Sequence, residues 1–290
     1  METRIKPKSL LSPLAKQLTS RLPGRGLLLA GLAIVLLFIG MAVFAPWISP
    51  YDPTKMVDKP FLPPSLKHLM GTNRIGQDVF SRIVWGSRIV LYVVFSATLL
   101  SMAIGIPLGL LSGYRGGKID RVLSMFMDSM YSFPALILAI AIAAVLGPSP
   151  MNTAIAIAFV YIPTYFRMIR GQTLSIKNQL FIDAAHALGI PDKRIMLRHI
   201  LPNLAHTILV VFSLSVADAI LTEAGLSFLG LSVTPPTPDW GYDLRVGQPF
   251  FLNGQWWLVF FPGLSVMLLA MGFALIGEAL SERLSLAQSI

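Results

Sequence analysis

The sequence contains no cysteine and has few charged residues. The absence of cysteine excludes disulfide bonds, thiolate metal ligands and a cysteine nucleophile. Charged residues account for 13% of the chain, whereas an average soluble domain carries roughly 25%. Hydrophobic residues account for 54%. Lipid is therefore the expected solvent for most of this chain, which we predict to be an all-α integral membrane protein.

Motifs of the common enzyme classes are also missing. No G-x4-G-K-[ST] stretch is present, so the chain has no P-loop with which to bind ATP phosphates. The four histidines do not fall at metal-ligand spacing. The stretch GLSFLG at 225–230 does not have the G-x-S-x-G spacing of a serine nucleophile. We therefore predict neither catalysis nor a directly bound metal or cofactor.

Six apolar runs are predicted to cross the membrane. A helix needs about 20 mostly apolar residues to span a hydrocarbon core of about 30 Å. The first run ends at Trp47, an aromatic residue suited to the membrane interface. The third contains Asp128 and Pro134. The predicted spans cover residues 26–47, 89–111, 124–146, 152–166, 203–224 and 257–280.

The distribution of positive charge predicts the orientation. With six spans both termini share one side, which carries 16 Lys and Arg residues against 7 on the other side. Cytoplasmic loops are enriched in these residues, so both termini are predicted to be cytoplasmic. The same bias accounts for the net charge of +9 without a nucleic-acid partner. The long first run, with no cleavage site, predicts a retained anchor rather than a signal peptide.

These spans divide the chain into five segments. The long loop after the first span is predicted to be extracytoplasmic and to contain an interfacial helix at 79–88. The predicted segments are a cytoplasmic tail (1–25), the first span (26–47), the extracytoplasmic loop (48–88), a five-helix core (89–280) that includes a cytoplasmic loop at 167–203, and a second cytoplasmic tail (281–290).

The most informative segment is NQLFIDAAHALGIPDKRIMLRHILPN at 178–203, which is too charged to span a membrane. Gly189 is predicted to end a first helix, because glycine enters the left-handed C′ conformation at the lowest cost. Pro191 is predicted to begin a second helix, which leads rigidly through Leu201 and Pro202 into the fifth span. The apolar residues predicted to share one face of the first helix are Leu180, Phe181, Ala184, Ala185 and Leu188.

The result is a helix–glycine–helix elbow on the cytoplasmic side. An apolar helix face with no membrane core to pack against usually binds a partner protein. The alternative is an elbow that merely packs beneath its own helical bundle. We favour the partner surface, because the first helix combines small alanines with larger apolar side chains.

This stretch resembles the EAA loop of binding-protein-dependent ABC importers, whose consensus is EAA-x3-G-x9-I-x-LP. Aspartate replaces the first glutamate of the consensus, and His199 replaces its isoleucine. In that family the loop is a coupling helix that seats in a groove of the ATP-hydrolysing subunit. The resemblance implies a polar contact at Asp183, close packing at Ala184 and Ala185, and a hinge at Gly189. The matching positions are Asp183, Ala184, Ala185, Gly189, Leu201 and Pro202.

The resemblance extends over most of the chain. Similarity to the second permease subunit of dipeptide, oligopeptide and nickel importers is found in FAPWISPYDP (44–53), HLMGTNRIGQDVFSRIVWGSR (68–88), SGYRGGKIDRV (112–122), EAGLSFLGLS (223–232) and PPTPDWG (235–241). It implies a six-helix type I importer permease in the inner membrane. It also implies a paralogous second permease as heterodimer partner, two cytoplasmic ATPase subunits that use ATP and Mg, and an extracytoplasmic solute-binding protein. The solute stays open among peptides, nickel chelates and glutathione.

Acidic residues inside predicted spans are candidate pathway residues. A charge at mid-bilayer costs about 2.5–3.5 kcal/mol and usually faces a cavity or a partner. Asp218 and Glu223 are expected near the outer end of the fifth span, either lining the pathway or its gate, or sitting in the wet interface. A structural role is favoured for Glu223. Asp128 is predicted to reach toward the cytoplasm or to pair with Arg121.

Two other classes of protein were weighed. An ion-coupled secondary transporter or channel would also have about six spans with proline kinks, but polar midplane residues and an inverted repeat are expected there, and neither is visible. An intramembrane enzyme needs a nucleophile and a base, which are not visible either. The sequence therefore favours the permease subunit of an ATP-driven importer for peptides or a related small solute.

Overall fold

The computed structural model describes the backbone of residues 24–288 and the side chains of residues 24–282. Nearly all of the predicted tail at 1–25 lies outside the described residues. Within the described part every regular element is a helix. The α-helices are α1 (Arg25–Val43), α2 (Ala45–Ile48), α3 (Val79–Arg115), α4 (Gly117–Tyr131), α5 (Ala135–Leu146), α6 (Pro150–Ile176), α7 (Leu180–Ala187), α8 (Asp192–Ile195), α9 (Ala205–Phe228), α10 (Trp240–Gly247) and α11 (Trp257–Gln288).

The all-α membrane fold is confirmed, whereas the count of six spans is not reproduced. Within the described residues, four helical stretches are long and apolar enough to cross a membrane: α1, α3, Asp192–Phe228 and Trp257–Glu282. The pair α4–α5 makes a fifth if its bent halves count as one span. Helix α6, which contains the predicted fourth span, is not in this set.

Helix α3 is longer than predicted. The interfacial helix expected at 79–88 and the second span form one continuous helix of 37 residues. Asp78 caps its start by accepting a hydrogen bond from the Ser81 amide at 2.8 Å. That bond satisfies one of the free amides of the first turn, so the helix begins well before the membrane span.

The predicted third span is broken rather than continuous. Helices α4 and α5 meet at 88°, with residues 132–134 between them. The cause is Pro134, because a proline has no amide to donate and its ring clashes with the carbonyl four residues earlier. The bend lies beside a cavity that α6 and α9 also line.

Helices α3 and α6 pack closely through three glycines of α3 spaced four residues apart. A Cβ atom at Gly105 would lie 2.7 Å from Cβ of Tyr165, and one at Gly109 would lie 2.6 Å from the Phe166 carbonyl oxygen. At Gly113 it would lie 2.8 Å from the Arg170 carbonyl oxygen. This is the small-xxx-small packing by which membrane helices bring their backbones together.

Gly109→Ala is expected to destabilise the chain by roughly 1–3 kcal/mol, because the added methyl group meets backbone atoms that cannot rotate away. Gly171→Ala provides the control, since Gly171 lies in α6 with nothing within 4 Å of an added Cβ. Alanine there is expected to be neutral or slightly stabilising. Thermal unfolding of the purified chain measures both. Equal midpoints for the two variants would contradict the packing argument.

Two irregular regions lie at opposite ends of the bundle. We call residues 49–78 and 229–253 the cap, and residues 180–204 the elbow. Arg82, near the start of α3, contacts the cap, and Tyr114, near its end, contacts the elbow. At 1.5 Å per residue these side chains are separated by about 48 Å along the helix. Because this exceeds the hydrocarbon thickness of about 30 Å, the cap and the elbow lie on opposite sides of a membrane.

Candidate functional site

The elbow turns at Gly189, as the sequence predicts. Gly189 has φ +72° and is exposed, and a Cβ there would meet nothing within 4 Å. Its amide donates to the His186 carbonyl at 2.9 Å, and the Ile190 amide donates to the Ala185 carbonyl at 3.1 Å. This pair of bonds is the Schellman arrangement at a helix end. The left-handed backbone, not lack of space, therefore requires glycine.

One face of the elbow packs against the helical bundle. Ile182 and Ala185 of α7 are buried. The prediction that Ala185 shares the free face of α7 was therefore wrong, because the elbow needs an inner face to hold it against α3 and α6. The cluster that holds it consists of Leu110, Ile169, Ile176, Ile182, Ala185, Ile195, Ile200 and Leu204.

The opposite face of α7 is apolar and largely exposed in the described part of the chain. Leu180, Phe181 and Leu188 are 86%, 41% and 79% exposed. Asp183 and Ala184 are also exposed on this helix. Large apolar side chains grouped on an aqueous surface mark a protein interaction site. The elbow therefore combines the two alternatives weighed from the sequence: it packs beneath its own bundle and also presents a free apolar face.

The connection from the elbow to α9 is helical but not a regular α-helix. A π-helical turn at Met196–Ile200 is followed by a 3₁₀ turn at Leu201–Leu204. The predicted direct continuation into the fifth span is present, since Asp192–Phe228 forms one helical stretch, but its hydrogen bonding is irregular at Leu201 and Pro202. Pro202 is the physical reason, since it interrupts the i to i−4 bonding that an α-helix needs.

A residue missed from the sequence ties the two arms of the elbow together. The Tyr114 hydroxyl, at the end of α3, donates to Asp192 Oδ1 at 2.9 Å and lies 3.4 Å from His186 Nε2. The rings of Tyr114 and His186 are stacked, with centroids 6.3 Å apart. His186 precedes Gly189 and Asp192 follows it. Tyr114 therefore fixes both arms relative to α3.

Tyr114→Phe is expected to loosen the elbow while keeping the ring contact. A single hydrogen bond of this kind contributes roughly 0.5–1.5 kcal/mol, so amide exchange in residues 186–195 should increase up to about tenfold. Tyr92→Phe is a matched control, because the Tyr92 hydroxyl has only the Met151 sulfur as partner, at 3.9 Å. Hydrogen–deuterium exchange measures the effect. Unchanged exchange in the Tyr114 variant would mean that the hydroxyl does not hold the elbow.

A cavity of about 550 Å³ opens at the bend between α4 and α5, against α6 and α9. Most of its wall is apolar, and its polar side chains are Tyr131, Tyr161, Thr164, Ser215 and Asp218. Its volume falls within the range of sites for small ligands. The remaining lining residues are Met130, Phe133, Pro134, Ala135, Leu138, Val160, Met168, Val211 and Leu214.

Asp218 lines this cavity, at the middle of α9 rather than near its outer end. The helix continues ten residues beyond it to Phe228, about 15 Å. Asp218 was predicted nearer the outer end because the predicted span stopped at Ala224, whereas α9 continues to Phe228. The side chain is exposed, and the structure gives it no hydrogen bond or ion pair with any described residue.

Glu223 does not line the cavity. It is fully buried where α9 meets the cap, and the Ser232 hydroxyl donates to its Oε1 at 3.1 Å. Its carboxyl group also contacts that of Asp239. Asp239 caps α10 by accepting from the Tyr242 amide at 3.0 Å. Glu223 therefore links α9 to the cap. The alternative expectation, that Glu223 lies in the wet membrane interface, was wrong because the residue is buried.

Asp128 pairs with a different arginine from the one predicted. Arg167 of α6 donates to Asp128 at 2.6 Å, and its guanidinium lies 4.1 Å from the centre of the Tyr131 ring. Arg121 is only seven residues away in sequence on α4, but Asp128 is oriented toward α6. Sequence spacing within one helix could not reveal this contact between helices.

The cap is held by a cluster around Arg82, which is 3% exposed. The guanidinium donates to Asp243 through Nε at 3.0 Å and Nη2 at 2.7 Å. It also donates to the carbonyl oxygens of Pro53 and Pro236 and to Gln77 Oε1. Burial raises the pKa of Asp243, and the guanidinium opposes that shift. We call these five residues the Arg82 cluster.

A second cluster orders the cap around His68, which lies between Asp58 and Asp78. His68 Nδ1 is 2.9 Å from Asp78 Oδ1, and Nε2 is 3.3 Å from Asp58 Oδ2. The Lys67 ammonium donates to Asp58 and holds the pKa of that carboxyl well below its usual range. The long loop is therefore a folded element rather than a flexible linker.

Two family profiles match the sequence. Residues 105–286 match the family described as binding-protein-dependent transport system inner membrane component. Residues 21–64 match the N-terminal TM domain of oligopeptide transport permease C. The first match includes the elbow, the cavity and most of the helical bundle.

Several characterised proteins are similar over most of their length. The dipeptide transport system permease protein DppC of Alkalihalophilus pseudofirmus is 42% identical over 260 residues, covering 89% of this chain and 85% of that protein. The glutathione transport system permease protein GsiD of Pectobacterium atrosepticum is 38% identical over 257 residues, covering 88% and 85%. The probable D,D-dipeptide transport system permease protein DdpC of Escherichia coli is 37% identical over 264 residues, covering 91% and 88%.

A solved structure has the same fold. The MetNI methionine ABC transporter, in inward-facing conformations, contains a chain that superposes with a TM-score of 0.54 at 18% identity, covering 69% of this chain and 96% of that one. At this identity the likeness supports the fold alone. The family profiles, the relatives and this fold agree with the EAA resemblance of the elbow. The chain therefore belongs to the binding-protein-dependent transport system inner membrane components and is an ABC importer permease of the peptide-transporter type.

Proposed function

We propose that this chain forms half of the translocation pathway of an ATP-driven importer for peptides or a related small solute. The observation that carries the proposal is the elbow, which is anchored to α3 and α6 on one face and exposes an apolar helix on the other. The relatives named for dipeptide and glutathione transport support a cargo of this size. In this scheme the chain moves solute and does not itself hydrolyse ATP.

The orientation follows from the charge distribution. The side that carries the elbow holds 16 of the Lys and Arg residues, against 7 on the side of the cap. The positive-inside rule then puts the elbow and both termini in the cytoplasm. The cap faces the opposite compartment, where an extracytoplasmic binding protein would deliver the solute.

The elbow is the contact for the ATPase. Leu180, Phe181 and Leu188 supply the apolar surface, with Asp183 as a polar contact and Ala184 as a point of close approach. Ala185 and Gly189 act differently from these residues, since Ala185 anchors α7 to the bundle and Gly189 sets the turn. Leu201 and Pro202 form the irregular joint through which movement of the elbow reaches α9. Two partner ATPase subunits would bind ATP and Mg.

The other half of the pathway comes from a paralogous second permease. Apolar side chains of the bent α4–α5 pair, including Met125, Phe133 and Ile137, are 65%, 58% and 60% exposed. Some of this surface contacts lipid, and the part at the mouth of the cavity would face the second permease. Between two such chains the cavity beside Asp218 becomes an enclosed passage. Nothing in this arrangement favours an ion-coupled transporter or a channel.

Expression together with the second permease and ATPase genes tests the proposal. The chain is expected to co-purify with both, and the complex in proteoliposomes should take up labelled dialanine only with ATP and a binding protein. Because the chain has no cysteine, single cysteines introduced at Leu188 and Leu252 can be labelled from either side. Labelling of both from the same side, or ATP-independent uptake by the isolated chain, would overturn the proposal.

A further inference from the structure

Asp218 is an acidic residue that has no counter-ion among the described residues. It lies in mid-helix on α9, its side chain is exposed to the cavity, and no described residue forms an ion pair or hydrogen bond with it. A carboxylate at membrane depth is costly unless it faces water or a cationic partner. Asp128 of α4 behaves differently, since it has Arg167 at 2.6 Å.

The wall of the cavity is complementary to a small, mostly apolar molecule that carries one positive charge. No Lys, Arg or His is among the described residues that line it, so Asp218 is the one charged side chain among them. Hydroxyl groups of Thr164, Ser215 and Tyr161 lie along the same wall. The Tyr161 hydroxyl lies 3.2 Å from that of Thr222, one helical turn beyond Asp218. Apart from these residues and Tyr131, the wall is apolar.

We propose that Asp218 binds the cationic amino group of the solute as it passes through the cavity. The site would take small solutes that carry a free ammonium group on an otherwise apolar body, with hydroxyl groups of the wall accepting its remaining N–H bonds. An N-terminal ammonium of a short peptide has this chemistry. The inference rests on the proposed function and narrows its substrate class, because a solute with a blocked amino group would leave the carboxylate unpaired.

Ligand-observed saturation-transfer NMR tests the inference on the complete importer in nanodiscs, without nucleotide. The probes are dialanine and N-acetyl-dialanine, which differ in the ammonium group. Hydrogen bonds to charged groups contribute enough that Asp218→Asn should weaken dialanine binding roughly tenfold to a hundredfold. Binding of the acetylated probe should be weak and unchanged. Asp218→Glu should restore most of the dialanine signal, and Asp52→Asn, a change in an exposed cap residue, should have no effect.

The outcomes separate this inference from the importer proposal. Equal signals from both probes in the wild type, no dialanine signal at all, or an unchanged Asp218→Asn variant would each overturn the role of Asp218. Loss of the second permease on purification of that variant would also count against it, since the counter-ion would then be a residue of that subunit. Stimulation of ATP hydrolysis by a loaded binding protein in the wild type tests the importer itself. If stimulation is present while the probes do not discriminate, only the inference about Asp218 fails.

Discussion

Replacing Leu188 by lysine is expected to remove the ATPase subunits from the purified complex and to reduce ATP-driven uptake to background. Leu188 is 79% exposed beside Gly189, and burying a leucine side chain at an interface contributes about 1.5–3 kcal/mol. That loss alone corresponds to roughly a tenfold to hundredfold weaker complex, and the lysine ammonium adds a desolvation cost. Co-purification and uptake in proteoliposomes measure the result.

Leu252→Lys is the matched control for this change. Leu252 is 92% exposed but lies in the cap, at the opposite end of the bundle. Retention of the ATPase subunits in the Leu252 variant, together with their loss in the Leu188 variant, would locate the contact at the elbow. The reverse pattern would show that the orientation and the coupling surface are both wrong. Thermal unfolding of both variants checks that neither change acts by unfolding the chain.

Arg82→Ala, a change in α3 beneath the cap, is expected to destabilise the cap strongly. Removing one partner of a buried ion pair costs about 3–5 kcal/mol, because the other charge is left uncompensated. Here Asp243 would lose both hydrogen bonds from the guanidinium, and the carbonyls of Pro53 and Pro236 would each lose a donor. We expect a large fall in the thermal midpoint and in the yield of folded protein.

Two further variants test whether loss of the contacts made by Arg82 causes this destabilisation. Arg82→Lys should be intermediate, because one ammonium group cannot reproduce the two-pronged contact with Asp243 while also reaching the carbonyls. Arg74→Ala removes a nearby exposed arginine and is expected to change stability by less than about 0.5 kcal/mol. If the Arg74 and Arg82 variants unfold at the same temperature, the Arg82 cluster does not stabilise the cap.

The elbow shows how far local sequence rules extend. Gly189 was predictable because its left-handed backbone and the Schellman hydrogen bonds involve only neighbouring residues. The burial of Ala185 was not, since α7 has apolar residues on two faces and nothing local says which face meets the bundle. Tyr114 was missed for the same reason, being separated from Asp192 by the whole of α4, α5, α6 and α7. A single tyrosine at this position of the sequence carries no signal for that contact.

The close packing at the glycines of α3 was not predicted, although the sequence carries a signal for it. Gly105, Gly109 and Gly113 are spaced four apart within an apolar run, which is a recognisable signal for close helix packing. The break at Pro134 was also readable, since a proline inside a predicted span is a reason to expect a bend. The angle of 88° and the cavity that it opens were not, because they depend on where α6 and α9 sit.

Composition, hydropathy and the EAA motif were enough to determine that this chain is a helical membrane permease of the ABC importer type, and they predicted the elbow that turns at Gly189. These properties are local or additive, so each can be read from neighbouring residues or from counts along the chain. The tertiary structure alone decided that Asp218 faces a cavity without a partner, that Glu223 is buried against the cap, and that Arg82 meets Asp243. Those outcomes depend on how distant segments pack, and a charged residue in a membrane span carries the same local signal whether it meets a cavity, a neighbouring helix or water.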